Sequence, residues 1–281
     1  MFTRLTSEEV MAFRPIYHQT TPWPNPIIES VLYADEGRTL GKVHCYGDVR
    51  DTNYIVTHRS GFTYVHFAPD GTGSGPDMPQ LVDTYLQVEP SFSHYLMFYA
   101  MPSALLDHLR GQSKPHFNVR QRCKYRIDRR HFERMDPAIY VVPEGHRLVT
   151  LAEAGTAVLA AFQHKLDQRF YDSWEDLLER SFGFILFNGE GVAVALAYTM
   201  CIVGHIADID LVTVPEHRKR GYGAMIITHL VRECHRRHLE AHWDCFTTNH
   251  TDKLVREVYG VERIYLTYDM VTYLNRPNPE G

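Results

Sequence analysis

The sequence is poor in the features that mark disulfide-rich, zinc-binding and membrane-spanning proteins. Its 281 residues include only five cysteines, an odd number, and no two of them form a C-x-x-C pair. A disulfide framework or a zinc knuckle is therefore not expected. No apolar run approaches the ~20 residues that cross a bilayer, and the first residues lack the apolar core of a signal peptide. We expect a reduced, cytosolic protein that has no membrane partner.

An excess of positive charge is also missing, which argues against general nucleic-acid binding. The formal net charge is -5, from 29 lysines and arginines against 34 aspartates and glutamates. The hydrophobic content of 44% is typical of a folded globular protein that is large enough for two domains. A change of pattern near residue 140 predicts a mixed α/β domain at 1–140 and a more regular domain at 141–281. No internal repeat is visible in the sequence.

The second of these domains has the pattern of a layered fold. From residue 146 to residue 270 the predicted order is strand, two helices, three strands, helix, strand, helix and strand, which is a mixed α/β sheet. Asn188–Gly191 predicts a hairpin turn. The predicted segments are strands at 146–151, 184–187, 192–201, 206–214, 242–246 and 263–270, and helices at 152–164, 174–180, 222–238 and 251–258.

The first domain is predicted to consist of shorter segments. Thr6–Phe13 is typical of a capped helix that begins at Thr6 or Ser7. The other predicted segments are strands at 30–33, 41–46, 52–57 and 63–67, and helices at 78–86 and 103–110.

Seven cations accumulate between Lys114 and Arg130. Arg122, Lys124 and Arg126 alternate with apolar and aromatic residues, which predicts a strand with one basic face. Two interpretations fit this face. It is either an ordinary solvent-exposed strand face or a surface for an acidic partner such as a nucleotide, a carrier protein or an RNA.

A basic turn that contains two glycines follows the predicted strand Ile206–Val214. It runs V-P-E-H-R-K-R-G-Y-G-A, from Val214 to Ala224, and opens a predicted helix. The unpaired amides of a helix start and the helix dipole together form an anion site. Glycine at 221 and 223 would allow close approach of a ligand, and the three cations raise the local positive potential. The turn therefore predicts a phosphate site, with an ordinary helix start as the alternative.

Two carboxylates lie on one face of the strand before this turn. Asp208 and Asp210 share that face with Val212 and Val214, because residues of one parity point the same way. Burial and mutual repulsion would raise the pKa of at least one carboxylate toward the value of a useful base. The alternatives are that one or both pair with a cation or cap a loop. We favour Asp208 as the base, although either carboxylate could bind the ammonium group of a substrate.

The element order and the turn motif resemble the GNAT superfamily of acyl-CoA N-acyltransferases. The matching residues are the turn from Val214 to Ala224 and a second segment from Asn249 to Gly260. Thr213 and Trp243-Asp244-Cys245 look like one two-domain branch, which includes proteins similar to zwittermicin-resistance acetyltransferases. The resemblance implies a GNAT-type fold at 141–281, and a domain at 1–140 that covers the substrate or is itself a degenerate GNAT-like domain.

The resemblance also implies a set of site residues for acetyl-CoA as co-substrate. A backbone N–H near Val212 or Thr213 would stabilise the oxyanion, and Asn249 would contact the pantetheine arm or cap its helix. Arg256 stands where the family usually has a tyrosine, so Tyr259 is the candidate acid, with core packing as its alternative. The residues expected to line the donor site near the pyrophosphate are Val214, Arg218, Lys219, Arg220, Gly221, Tyr222, Gly223 and Ala224. No metal site is expected.

These expectations predict an acyl-CoA-dependent N-acyltransferase. The acceptor would be the amine of a small molecule such as an antibiotic or a biosynthetic intermediate. One alternative is a donor carried by an acyl carrier protein or a tRNA, which would use the basic strand. The other is a catalytically silent sensor that binds coenzyme A. The sequence leaves the oligomeric state undetermined.

Overall fold

The computed structural model divides into two compact units. Unit 1 consists of Met1–Gln121 together with Tyr268–Gly281, and unit 2 consists of Arg122–Thr267. The predicted division at residue 140 differs from these bounds, which place residues 122–140 in unit 2 and the last strand in unit 1. The structure describes residues 1–21, 25–35, 38–48, 53–67, 84–85, 95–99, 107, 117–127, 129–134, 136–162, 170–248 and 268–274.

The helices and strands are numbered here in chain order. The strands are β1 (Phe2–Arg4), β2 (Gly41–Tyr46), β3 (Tyr54–His58), β4 (Phe62–His66), β5 (Tyr95–Tyr99), β6 (Phe117–Ile127), β7 (Arg147–Thr150), β8 (Gly183–Phe187), β9 (Ala193–Val203), β10 (Ile206–Thr213), β11 (Glu240–Phe246) and β12 (Tyr268–Leu274). The α-helices are α1 (Ser7–Thr20), α2 (Pro26–Leu32), α3 (Arg129–Phe132), α4 (Leu151–Ala154), α5 (Thr156–Ala161), α6 (Trp174–Arg180) and α7 (Tyr222–Arg236).

Unit 1 is a mixed sheet with strand order β1-β2-β3-β4-β5-β12. β4 and β5 are parallel, whereas the other described pairs are antiparallel. The predicted cap of α1 is confirmed at Thr6, which accepts from the Glu9 amide while the Glu9 carboxylate accepts from the Thr6 amide. The helix runs to Thr20, beyond the predicted end. The predicted strand at 30–33 is wrong, because Asn25 and Pro26 start helix α2 there.

Unit 2 is a second mixed sheet, with strand order β6-β11-β10-β9-β8-β7. Only the part of β6 from Arg122 onward belongs to this unit. β10 and β11 are parallel and the other pairs are antiparallel. The predicted element order is confirmed as far as β11. The single helix predicted at 152–164 is instead divided at Gly155, where φ is 73°.

Helix α7 builds much of the core of unit 2. It contacts β8, β9, β10 and β11. Ile226, Leu230 and Val231 are fully buried on its sheet-facing side. Burying each such side chain contributes about 1.5–3 kcal/mol, and this packing fixes the start of α7 against the end of β10.

The two units repeat one arrangement that the sequence does not reveal. Each has a strand, helices, three further strands and then a strand that is parallel to the last of them. Each sheet also carries a sixth strand, antiparallel to the fifth, which is β12 in unit 1 and β6 in unit 2.

Other predicted segments fall on parts of the chain that are not described. The predicted helix at 251–258 lies there entirely, and the helices at 78–86 and 103–110 lie there almost entirely. The last predicted strand, at 263–270, overlaps β12. In the described part of the chain, no helix combines the length and the apolar character needed to cross a bilayer.

Candidate active site

The basic turn connects β10 to α7 and leaves the start of the helix without a capping side chain. Gly221 is the N-cap of α7 and adopts a left-handed conformation, with φ 81°. A residue with a Cβ would lose about 1–2 kcal/mol there. Since glycine has no side-chain oxygen, it supplies no acceptor for the first amides of α7. Arg218, Lys219 and Arg220 are exposed beside these amides, so the predicted anion site has the required donors and charge.

Glycine is favoured at the two positions of the turn for different structural reasons. A Cβ at Gly221 would meet nothing within 4 Å, so its backbone angle alone favours glycine. A Cβ at Gly223 would lie 3.2 Å from Leu211 Cδ2 and 3.5 Å from Thr213 Oγ1. Gly223 therefore allows α7 to start close against β10, and both positions shape the turn.

Tyr222 and Arg218 each form a side-chain hydrogen bond that stabilises the turn. The Tyr222 side chain is buried, and its hydroxyl lies 2.8 Å from His146 Nε2, so only its backbone amide is placed toward a ligand at the helix start. Arg218 Nε donates to the Thr213 carbonyl oxygen over 3.2 Å, which ties the turn to the end of β10. Ala224 is half-buried in the first turn of α7.

Strands β10 and β11 separate beside this turn. Their parallel pairing covers only three residues of β10, from Ile206 to Asp208, whereas β10 continues to Thr213. In the described part of the chain, the residues of β11 that follow His242, the partner of Asp208, pair only with β6. A gap therefore opens between the two parallel strands, and Asp208 lies where it begins.

The backbone amides along this gap alternate in direction. The Val214 amide donates to the Val194 carbonyl of β9 over 3.0 Å. In an antiparallel pair every second residue bonds this way, so the Val212 amide also faces β9, while those of Leu211 and Thr213 face the gap. The Leu211 amide donates to Asp210 Oδ1 over 2.8 Å, consistent with this alternation. Of the two amides predicted to stabilise an oxyanion, Thr213 is the one that faces the gap.

Asp208 is fully buried and forms an ion pair. Its Oδ2 lies 3.4 Å from Nζ of Lys124, which is also buried. Within the described residues, Asp208 Oδ1 has no hydrogen-bond partner. Burial raises the pKa of Asp208 to about 6, against the opposing charge of Lys124 and with some reinforcement from Asp244. The carboxylate thus pairs with a cation, as one interpretation of the sequence held, and titrates close to neutrality.

Asp210 has a different environment on the same strand. Its side chain is half-buried, and its Oδ1 accepts from the Leu211 amide. It is therefore the more accessible of the two carboxylates.

The predicted basic face is buried at two of its three cations. Arg122 Nε lies 2.8 Å from Asp244 Oδ1, and Arg122 Nη2 donates to the Asp244 carbonyl over 3.0 Å. Arg122 and Lys124 are both buried, so the prediction of a solvent-exposed basic face is wrong for them. Arg126, by contrast, is 41% exposed in its side chain and lies 3.9 Å from Glu240. The acids that neutralise this strand come from β10 and β11 of the same unit.

His242 is a further buried group that sequence reasoning missed. It is opposite Asp208 in the β10–β11 pairing and opposite Arg126 in the β11–β6 pairing. Burial, together with the charges of Lys124 and Arg126, lowers the pKa of His242 to about 3. The imidazole is therefore neutral at physiological pH. The available signal was the alternation of polar Glu240, His242 and Asp244 with apolar residues along this strand.

Three predicted site residues lie outside the described residues. They are Asn249, Arg256 and Tyr259, and their roles stay predictions. In the ranges that the structure does describe, no group of three or more His, Cys, Asp and Glu side chains could hold a metal ion.

Comparison with protein families assigns the fold. A family model described as GNAT acetyltransferase matches residues 29–268. The chain belongs to this family. GNAT acetyltransferases transfer an acyl group from acyl-CoA and use acetyl-CoA as donor, and the uncapped, cation-flanked start of α7 fits a pyrophosphate. The predicted fold class is confirmed.

Solved structures show the same fold along nearly the whole chain. A GCN5-related N-acetyltransferase-like protein from Streptococcus suis is 16% identical, with a TM-score of 0.70, covering 95% of this chain and 100% of that one. A GCN5-related N-acetyltransferase from Sphaerobacter thermophilus has a TM-score of 0.61 at 14% identity, covering 99% and 96%. A tandem GNAT protein from the clavulanic acid biosynthesis pathway has a TM-score of 0.59 at 15% identity and covers 99% of both chains. No curated protein matches the sequence.

Proposed function

We propose that this protein transfers an acetyl group from acetyl-CoA to the amine of a small molecule. The observation that carries the proposal is the position of one buried carboxylate, Asp208, at the start of the gap between β10 and β11. The same gap ends beside the anion-binding turn at Gly221. A donor whose pyrophosphate lies on this turn would extend its thioester along β10 toward Asp208.

The donor interacts with the backbone as well as with the cations. Arg218, Lys219 and Arg220 would neutralise the pyrophosphate, and the first amides of α7 would donate to its oxygens. The Thr213 amide faces the gap and would donate to the thioester carbonyl, where negative charge develops.

The acceptor amine must lose a proton during the reaction. Its nitrogen attacks the thioester carbon, so that a C–N bond forms and the C–S bond breaks. An alkylamine has a pKa near ~10.4, so a base is needed at neutral pH. Asp208, with a pKa of about 6, would take this proton through a water molecule, and the half-buried Asp210 would hold the ammonium form. The leaving thiolate needs a proton in return, for which Tyr259 is the proposed donor.

The class of acceptor rests on resemblance. Thr213 and Trp243-Asp244-Cys245 resemble a two-domain branch that includes proteins similar to zwittermicin-resistance acetyltransferases. A structural neighbour acts in clavulanic acid biosynthesis. Both support an antibiotic or a biosynthetic intermediate as the acceptor. The five cysteines are free thiols, which fits a reducing compartment such as the cytosol.

The test is a panel of amines incubated with the protein and acetyl-CoA. Release of free coenzyme A is followed with a thiol reagent, and mass spectrometry detects an acetylated amine. Activity that is lost in Asp208→Asn while acetyl-CoA still binds would support the proposal. Binding of acetyl-CoA with no product from any amine would support the silent sensor instead. Product only from an acyl carrier protein or a tRNA-bound donor would contradict the choice of acetyl-CoA.

A further inference from the structure

We propose that Lys124 is a positioning residue for this acyl transfer, which keeps the Asp208 carboxylate ionised where β10 and β11 separate. The inference rests on the proposed function, because it assigns Asp208 the role of proton acceptor. Lys124 belongs to β6, a strand that lies outside the motif carrying the family resemblance.

The strand register brings the charged side chains to one face of the sheet. Asp208 is opposite His242, and Lys124 is opposite Asp244, one step of two residues further along β11. Residues two apart on a strand share a face. Lys124 therefore reaches across β11 to Asp208, where Nζ and Oδ2 lie 3.4 Å apart.

The charges on this face balance. Lys124 and Arg122 are positive, Asp208 and Asp244 are negative, and the low pKa of His242 keeps its imidazole neutral. Arg126 and Glu240 lie at the more exposed edge of the same face. A proton added to Asp208 leaves these four side chains with a net positive charge. Lys124 therefore favours the ionised form of Asp208 and the release of a proton that Asp208 has taken up.

The two ion pairs on this face differ in how tightly they are made. Arg122 holds Asp244 through two hydrogen bonds, of 2.8 Å to the carboxylate and 3.0 Å to the backbone carbonyl. Lys124 makes one long contact with Asp208 and leaves Oδ1 without a hydrogen-bond partner among the described residues. A carboxylate that only anchored the fold would be expected to have its lone pairs satisfied. The Arg122 pair is therefore structural, whereas the Lys124 pair leaves an oxygen ready to take a proton.

Burial gives Lys124 its control over Asp208. A buried ion pair is often no more stabilising than apolar residues of similar volume, so stability alone does not explain a buried lysine at this position. Without the lysine, the nearest remaining cation would be Arg122, which is already paired with Asp244. The buried Asp208 carboxylate would then take up a proton at neutral pH.

The experiment titrates Asp208 directly. Infrared spectroscopy of the purified protein without substrate follows the band of the protonated carboxyl group as a function of pH. A band that is missing in Asp208→Asn belongs to Asp208. We expect Lys124→Met to move the midpoint at least one pH unit upward, Lys124→Arg to restore it, and Arg126→Met, at the exposed edge, to leave it unchanged. Lys124→Gln is a second neutral variant in case the methionine variant does not fold.

The kinetic counterpart separates this inference from the proposed function. The acid limb of kcat/KM should move upward with the infrared midpoint in Lys124→Met, and should return in Lys124→Arg. A shifted infrared midpoint in a protein that acetylates no amine would uphold the control of Asp208 by Lys124 while removing the proposed function. An unshifted midpoint in both neutral variants would overturn the inference even if amine acetylation is observed.

Discussion

Unit 1 and unit 2 pair their parallel strands over three residues each, yet they differ in chemistry at the third. In unit 1, β4 pairs with β5 through Phe62, Thr63 and Tyr64. In unit 2, β10 pairs with β11 through Ile206–Asp208. A buried phenol thus stands in unit 1 where unit 2 has its carboxylate, and burial raises the pKa of Tyr64. The two units share one strand arrangement, and at this point of the sheet they differ in the side chain that they place there.

The sixth strands of the two sheets differ in the same sense. β6 supplies two buried cations to unit 2, at Arg122 and Lys124. β12, with the sequence YDMVTYL, contains neither lysine nor arginine. The candidate site therefore combines a carboxylate on the fourth strand of its unit, β10, with a cation on the sixth, β6. Only unit 2 has this combination.

The largest effect is expected from replacing the third residue of the parallel pairing, which is Asp208 in unit 2 and Tyr64 in unit 1. Asp208→Asn removes the proposed base and should lower kcat/KM for amine acetylation by about 10²–10⁴-fold. The matched change in unit 1, Tyr64→Phe, should leave kcat/KM unchanged. Steady-state release of coenzyme A measures both. A comparable loss in Tyr64→Phe would show that unit 1 takes part in catalysis.

A large effect on stability is expected from the structural ion pair. Arg122→Ala leaves Asp244 buried without its guanidinium, which should lower the free energy of unfolding by about 3–5 kcal/mol. In unit 1, Arg14 Nε donates to the Leu32 carbonyl over 2.8 Å beside the Tyr33 ring, and Arg14→Ala should cost only about 1 kcal/mol. Urea unfolding of the two variants gives the difference. Equal losses would remove the contrast between the units.

The pH dependence of stability should also differ between the units. His242 has a folded pKa of about 3, below its usual value, so its contribution is present above about pH 6.5 and is lost as pH falls toward 3. The raised pKa of Asp208 acts in the opposite direction, since its contribution is lost as pH rises through about 6. The larger shift of His242 should dominate in acid.

His242→Gln should therefore flatten the acid loss of stability between about pH 6.5 and about pH 3. In unit 1, burial also lowers the pKa of His66, which is half-buried, so His66→Gln should flatten the loss less. Urea unfolding at several pH values across this range provides the slopes. Parallel pH profiles for His242→Gln and the unchanged protein would contradict the prediction.

A smaller effect is expected at the turn. Gly221→Ala introduces a Cβ at φ 81° and should cost about 1–2 kcal/mol. Where the free turn relaxes and binding requires this backbone angle again, the strain should weaken coenzyme A binding about tenfold. Gly191→Ala, at φ 77° in the hairpin of unit 2, carries the same strain without affecting binding. Calorimetry measures affinity and stoichiometry together. Two molecules of coenzyme A per chain would mean that unit 1 also binds the donor.

Much of unit 2 follows from local patterns in the sequence. The strand at Ile206, the glycine turn and the helix from Tyr222 were predicted because alternation, turn chemistry and helical spacing are all local signals. The basic strand was predicted for the same reason. Its burial was missed because Lys124 and Arg122 find their partners 84 and 122 residues away, and no local pattern contains the register of distant strands.

Other differences between the sequence-based expectations and the structure have similar causes. At Ser30–Tyr33, β-branched and aromatic residues favoured a strand, but the start signal lies upstream at Asn25 and Pro26. The repeat of the two units was not visible in the sequence because topology is kept by backbone pairing and apolar volume rather than by residue identity. The assignment of β12 to unit 1 depends on a pairing with β5 that spans most of the chain.

That last pairing has a consequence for protein synthesis. A ribosome completes residues 1–121 and then all of unit 2 before it makes β12, so the first sheet waits with the edge of β5 uncovered. Open strand edges invite pairing with other chains, and contacts so distant in sequence form slowly. A fragment cut after unit 1's first segment, or a chain shortened before Tyr268, should therefore aggregate on expression, whereas β12 supplied as a separate peptide should restore the missing edge.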